Sequence, residues 1–220
     1  MKRPPTNDPL DPSVGHNTNS RDSTKWLEHL RPAVASFAWL TLITGCVFPL
    51  VLFGLGRLVF PDQAAGGLVM NAQTVVGSRL IGQSFSQPDY FLPRPSAAGA
   101  GYDGGSSGGT NLGPSNPKLF QDIRQFAGDY RQANGLAPDA SVPIDAVTRS
   151  GSGLDPHISP ENAALQVPRV ARMRGLSEDD VRSLVAEHTQ GRQLGFLGQP
   201  RVSVLDLNLA LDQAAPSHVR

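Results

Sequence analysis

Apolar positions follow two different regimes along this chain. Between Arg31 and Arg57 no charged residue occurs, and residues 33–55 read AVASFAWLTLITGCVFPLVLFGL, with twelve Leu, Ile, Val or Phe among 23 positions. At about 1.5 Å per residue, that run makes about 35 Å of helix, enough to cross a hydrocarbon layer of about 30 Å with some tilt. A transmembrane helix over residues 32–58 is predicted, kinked between Gly45 and Pro49 because proline cannot donate the backbone bond a straight helix needs. The run is longer than the apolar region of about 7–15 residues in a secretory leader and follows about thirty hydrophilic residues, so a retained anchor is expected. Arg21, Lys25 and Arg31 precede it and only Arg57 closely follows it, which predicts a cytoplasmic N-terminus and an outer C-terminal part.

Beyond the span the apolar positions are interspersed with polar ones. Residues 74–83 read as short strands broken by glycine, Tyr90-Phe91-Leu92 runs into Pro93, and residues 97–117 form a Gly/Ser/Asn loop. Asn116-Pro117 opens a helix with Leu119, Ile123, Phe126 and Tyr130 on one face, stopped near Gly135. Residues 142–147 read as a short strand or extended connector. Ser159-Pro160 starts a helix that Val167-Pro168 is expected to interrupt or kink. Ser177-Glu178-Asp179-Asp180 caps a further helix ended by Gly191. Residues 201–204 read as a strand and 205–211 as a terminal helix. The predicted fold class is α+β: a single N-terminal transmembrane helix followed by a mixed α/β extracytoplasmic domain. Its divisions are a disordered cytoplasmic tail (1–31), the span (32–58), the outer domain (59–212) and a flexible C-terminal tail (213–220).

Composition narrows the function. Nineteen Lys and Arg balance nineteen Asp and Glu, so nothing in the charge suggests the cationic surface that nucleic acid requires, and no nucleic-acid partner is expected. With 23 Gly and 19 Pro among 220 residues, long irregular segments are expected. The one cysteine, Cys46, sits in the apolar run, which excludes an intramolecular disulfide and any cysteine-only metal cluster.

Matches to catalytic signatures fail on context. Residues 99–104 fit G-x-G-x-x-G without a strand before or a helix after, and residues 104–108 fit G-x-S-x-G inside a run of Gly and Ser. No glycine is followed by Lys-Ser or Lys-Thr, so no P-loop is present. The histidines lack ligand partners at metal-site spacing, and no metal site is expected. Ser152, Asp155, His157 and Ser159 supply a nucleophile, carboxylate and base within one loop, which would suit an anchored hydrolase. The same letters serve as turn residue (Asp155), hydrogen-bonded histidine (His157) and helix cap (Ser159), and that assignment is preferred.

Several blocks in order resemble a known family. Thr41-Leu42-Ile43-Thr44-Gly45 with Phe48-Pro49-Leu50, Gly77-Ser78-Arg79-Leu80-Ile81-Gly82-Gln83, Arg94-Pro95-Ser96 and residues 106–117 (SSGGTNLGPSNP) are similar to the C subunit of the Kdp potassium-transporting ATPase. So are residues 150–160 (SGSGLDPHISP), Arg169-Val170-Ala171, residues 188–192 (HTQGR) and residues 195–202 (GFLGQPRV). The resemblance covers about residues 32–212. Two departures are a longer segment before the span and Phe48 where the family commonly has tyrosine.

The resemblance implies a non-hydrolytic accessory subunit of a bacterial inner-membrane pump for high-affinity potassium uptake. Its implied partners are a channel-like potassium-translocating subunit, a P-type ATPase subunit and a small single-helix subunit, besides membrane lipid. It further implies a catalytic chaperone that raises the ATP affinity of the P-type subunit. ATP is cytoplasmic while the folded domain is expected outside, so such an effect is expected to pass through the helix, with no cofactor assigned to this chain and no catalytic residue. The candidate partner interface comprises Ser106, Gly108, Gly109, Asn111, Asn116, Asp155, His157 and Ser159. The alternatives are an anchored extracytoplasmic hydrolase or a ligand-binding sensor, the latter requiring a deep apolar pocket.

Overall fold

The computed structural model describes residues 22–71 and 73–215, which fall in two compact units, Met1–Phe60 and Pro61–Arg220. The first unit is a continuous helix. α1 (Asp22–Leu42) passes through a π-helical turn (Ile43–Val47) into α2 (Phe48–Val59). Pro49 has no N–H to give the carbonyl four residues back, and the turn widens at that point. The Phe48 N–H donates to the Ile43 carbonyl five residues back, and the Thr44 hydroxyl donates to the Leu40 carbonyl at 2.7 Å. Where a kink was expected between Gly45 and Pro49, the backbone carries one wide turn over Ile43–Val47.

Residues Glu28–Val59 have a mean hydropathy of 2.1, long and apolar enough to cross a membrane. Phe37, Trp39, Leu50 and Phe53 are exposed on this helix, which is apolar on every side, as befits an element with a non-aqueous environment. The helix begins at Asp22, within the segment expected as a tail, and residues 1–21 lie outside the described residues.

The second unit opens with a helical turn, α3 (Pro61–Ala64), and an antiparallel hairpin of β1 (Leu68–Asn71) and β2 (Thr74–Ser78), bulged between Val69 and Met70. A long irregular stretch leads to α4 (Pro117–Asn134), capped by Asn116 and closed by Gly135 in the left-handed region. A short α5 (Ile144–Val147) follows, then β3 (His157–Ile158), α6 (Pro160–Arg174), α7 (Glu178–Glu187), β4 (Thr189–Gln190), β5 (Arg201–Ser203) and α8 (Val204–Ala214). β5 is the centre of an antiparallel sheet ordered β3-β5-β4, with Ile158 and Thr189 both opposite Val202. Helices α6, α7 and α8 pack their apolar faces with this small sheet. The core they enclose includes Phe91, Ile158, Val167, Val170, Val181, Val202, Leu207 and Leu211.

The α+β class matches the expectation, and three details differ. Residues 144–147 form a helical turn where a strand or connector was expected; the Thr148 hydroxyl closes it onto the Ile144 carbonyl at 2.6 Å. Pro168 lies inside an uninterrupted α6, with Ala164 and Pro168 on its exposed side, where water can satisfy the carbonyl that proline leaves unpaired. α7 ends at Glu187, with the His188 N–H donating back into it, ahead of Gly191.

Side chains complete the core where strands are lacking. The irregular stretch 88–94 is held by side chains: Gln166 accepts from Leu92 N at 2.7 Å and donates to the Leu92 carbonyl at 3.1 Å. Arg169 donates to the Pro88 and Tyr90 carbonyls and to Asn134 Oδ1. Burial lowers its guanidinium to about 10, which leaves it charged at neutral pH. Arg174 lies over the Tyr90 ring at 4.5 Å and pairs with Asp212 at 2.8 Å.

Candidate functional site

Two irregular segments, 94–113 and 148–159, carry most of the residues singled out by sequence, and the fold brings them together. Arg94 sits between Pro93 and Pro95, which hold its backbone extended and leave its side chain to reach across. Its Nη1 donates to Asp155 Oδ2 at 2.6 Å. The other carboxylate oxygen accepts from the His157 backbone N–H at 3.0 Å, a turn of the Asx type, and lies 3.5 Å from His157 Nδ1. Burial acts to raise the Asp155 pKa, but the His157 hydrogen bonds together with the hydrogen bond and charge of Arg94 outweigh it and hold the carboxyl below its ordinary value.

Ser96 is the hub of the next contact. Its hydroxyl donates to the Gly153 carbonyl at 2.6 Å and accepts from the N–H groups of Ala98 and Tyr102. The Tyr102 hydroxyl donates to the Arg94 carbonyl at 2.5 Å, and burial, followed by the Asp155 charge, pushes its pKa up. Gly153 requires its lack of a side chain: its φ is +69°, and a Cβ there would stand 2.5 Å from Ala98 N.

Further along, the Ser152 carbonyl accepts from Gly108 N and from the Ser107 hydroxyl, each at 2.9 Å. A cleft of about 240 Å³ lies beside this junction, lined by Gly109, Asn111, Leu119, Asp122, Phe126 and Arg149 among others. Arg149 donates to Asp122 at 2.7 Å and lies 4.7 Å above the Phe126 ring; hydrogen bonds from Arg149, then Lys118, hold the Asp122 carboxyl below its ordinary value.

Of the eight candidate interface residues, Gly108, Asp155 and His157 therefore sit in the junction of the two segments, and Gly109 packs against Gly151 there. Ser106 and Asn111 are exposed on the first segment, with Asn111 at φ +50°. Asn116 and Ser159 are helix caps: Asn116 accepts from Lys118 N, and Ser159 accepts from Asn162 N while its hydroxyl and N–H both donate to Asp145.

The arrangement required of a hydrolase does not assemble. The Ser159 hydroxyl is committed to Asp145 and that of Ser152 accepts from Leu154 N at 3.1 Å, and neither is hydrogen-bonded to His157. Among the described residues, no group of three His, Cys, Asp or Glu is placed to hold a metal ion. Ser96, Tyr102 and Asp145, which organise the junction, were not among the sequence candidates. Arg94 and Ser96 carried a signal only as part of the Arg94-Pro95-Ser96 block; nothing in the local pattern points from Asp145 to Ser159.

Comparison with known proteins gives this junction its context. A family model described as "KdpC: K+-transporting ATPase, c chain" matches residues 30–213. The chain belongs to the KdpC family. Relatives described as "Potassium-transporting ATPase KdpC subunit" include one from Beijerinckia indica, 52% identical over 86% of this chain and 96% of the relative. Another, from Koribacter versatilis, is 51% identical over 80% and 90%, and one from Mycobacterium bovis is 52% identical over 84% and 97%. In this KdpC chain the blocks 94–96, 106–117 and 150–160 are adjacent in space through the contacts above, although the intervening helix α4 separates them in sequence.

Proposed function

We propose that this chain is the C subunit of a potassium-transporting ATPase, acting as a non-hydrolytic accessory subunit anchored by the Glu28–Val59 helix in a bacterial inner membrane. The observation that carries the proposal is the family match over residues 30–213, which takes in both the apolar helix and the folded unit. The N-terminus is cytoplasmic and the unit Pro61–Arg220 lies outside, following the placement of Arg21, Lys25 and Arg31 before the span.

In this proposal the junction of segments 94–113 and 148–159 docks onto the channel-like subunit. Its residues are presented by a firm core, and the exposed Ser106 and Asn111 leave polar groups available to a partner. The P-type and small single-helix subunits complete the assembly. The chain acts as a catalytic chaperone, raising ATP affinity of the P-type subunit by a conformational route through the helix.

The test is affinity purification of the tagged full-length chain from native membranes in mild detergent, from cells grown at limiting potassium. Recovery of a P-type ATPase and a channel-like protein, with potassium-stimulated hydrolysis, is expected, together with a lower KM for ATP when the chain is present. The purified chain alone should not bind ATP. Recovery of the chain without ATPase, despite expression of the other subunits, would overturn the proposal.

A further inference from the structure

The β4–β5 connection carries an exposed apolar cluster outside the junction described above. Gln193 and Leu197 exchange both backbone hydrogen bonds at 2.9 Å, and Phe196 N donates to the Gln193 carbonyl, so the turn between them is closed by its own backbone. Leu194 at its tip has φ +52°, a conformation that L side chains rarely adopt. The closed turn holds its apolar side chains outward: Leu194 is 83% exposed and Phe196 68%, with Leu197 beside them.

The charge around the tip is one-sided. From His188 to Leu205 the sequence contains no acidic residue, while Arg192 and Arg201 flank the turn. Arg192 meets only the Gln199 carboxamide, at 3.2 Å, and neither arginine pairs with a carboxylate among the described residues. An apolar aromatic knob with unneutralised cationic flanks complements an apolar socket with an acidic rim. Because its own backbone bonds close the turn, the three apolar side chains are held in one arrangement before any partner is met, the preorganisation that a shaped protein socket rewards.

We propose that the 193–197 turn is a preformed anchor for another subunit of the ATPase, with Leu194, Phe196 and Leu197 entering an apolar socket and Arg192 and Arg201 meeting carboxylates at its rim. This inference rests on the subunit assignment above. It assigns a docking role to a segment outside the junction.

The experiment compares the tagged full-length chain with its Leu194→Ser/Phe196→Ser and Arg192→Glu variants in the purification described above. Both variants alter exposed side chains, so an unchanged Tm of the purified chain is expected and shows that the fold is intact. Recovery of ATPase should fall by about tenfold or more for the double variant, and Arg192→Glu should make retention more salt-sensitive. Equal recovery and equal potassium-stimulated hydrolysis for wild type and both variants would overturn this inference alone. A wild-type chain that recovers no ATPase would overturn the subunit assignment and this inference with it. An environment-sensitive probe on Phe196→Cys, in a Cys46→Ser chain reconstituted without partners, is expected to report water. Quenching by lipid would place the tip in the bilayer and overturn the protein-socket assignment.

Discussion

Asn208 holds Phe91 by both of its backbone groups. The carboxamide Oδ1 accepts from Phe91 N at 2.8 Å and Nδ2 donates to the Phe91 carbonyl at 3.0 Å, so a side chain on α8 does for this segment what a neighbouring strand would do in a sheet. Both residues are fully buried, and water cannot replace either bond. Replacing Asn208 with Leu, similar in volume but without polar atoms, leaves a buried N–H and C=O unpaired. It should cost roughly 2–5 kcal/mol, read as a lowered Tm or denaturant midpoint of the full chain in detergent. A variant as stable as wild type would show that the clamp adds nothing.

The Asp155 carboxyl gives the unit Pro61–Arg220 an acid-sensitive contact. Its pKa in the folded chain lies below the unfolded value of about 3.9, so its contribution is complete above that pH and is lost as the pH falls through the folded value. Asp155→Asn should therefore be less stable than wild type at neutral pH by about 1–3 kcal/mol, with the gap closing below about pH 4. Unfolding followed from pH 7 to pH 3 checks the sign; a constant gap across that range would count against the Arg94–Asp155–His157 geometry.

Gly153→Ala should separate backbone geometry from composition. A methyl there meets Ala98 N at 2.5 Å in a left-handed backbone, whereas a methyl at Gly151 meets nothing within 4 Å. Gly153→Ala is expected to destabilise by about 2 kcal/mol or more, and Gly151→Ala by a few tenths at most. Thermal unfolding of the two variants side by side provides the comparison, and equal losses would be the contrary result.

Ser159→Ala removes the α6 cap and strips a hydrogen bond from Asp145, for an expected loss of about 1–2 kcal/mol. Incubation of the wild-type chain with a serine-reactive probe should label neither Ser152 nor Ser159. Labelling of either, abolished by His157→Ala, would restore the hydrolase alternative.

Elements written in local pattern were legible in the sequence: the uncharged span, the helix opened by Asn116-Pro117 and the caps at Ser159 and Ser177 all depend on neighbours within a few residues. Residues 144–147 were misread because four residues carry too little periodicity to distinguish one helical turn from a strand. Pro168 does not interrupt α6, because the side of the helix it faces is decided by tertiary packing. The clamps by Gln166, Asn208 and Arg169 leave no periodic trace, since each joins side chains to backbone more than seventy residues away. Within the candidate site, the blocks pointed to both segments, but the Ser96 hub and the Asp145–Ser159 pairing came only from the fold.

The wide turn at Ile43–Val47 also resets the angular bookkeeping of the span. The extra residue held in the wide turn sets every later side chain back by about 100° around the axis relative to an uninterrupted α-helix. Small residues before the turn, such as Ser36 and Thr41, consequently fall on a different azimuth from Gly54 and Gly56 after it than simple heptad counting gives. The two halves of the helix therefore present separate close-packing stripes, each open to a different neighbour at a different height along the axis.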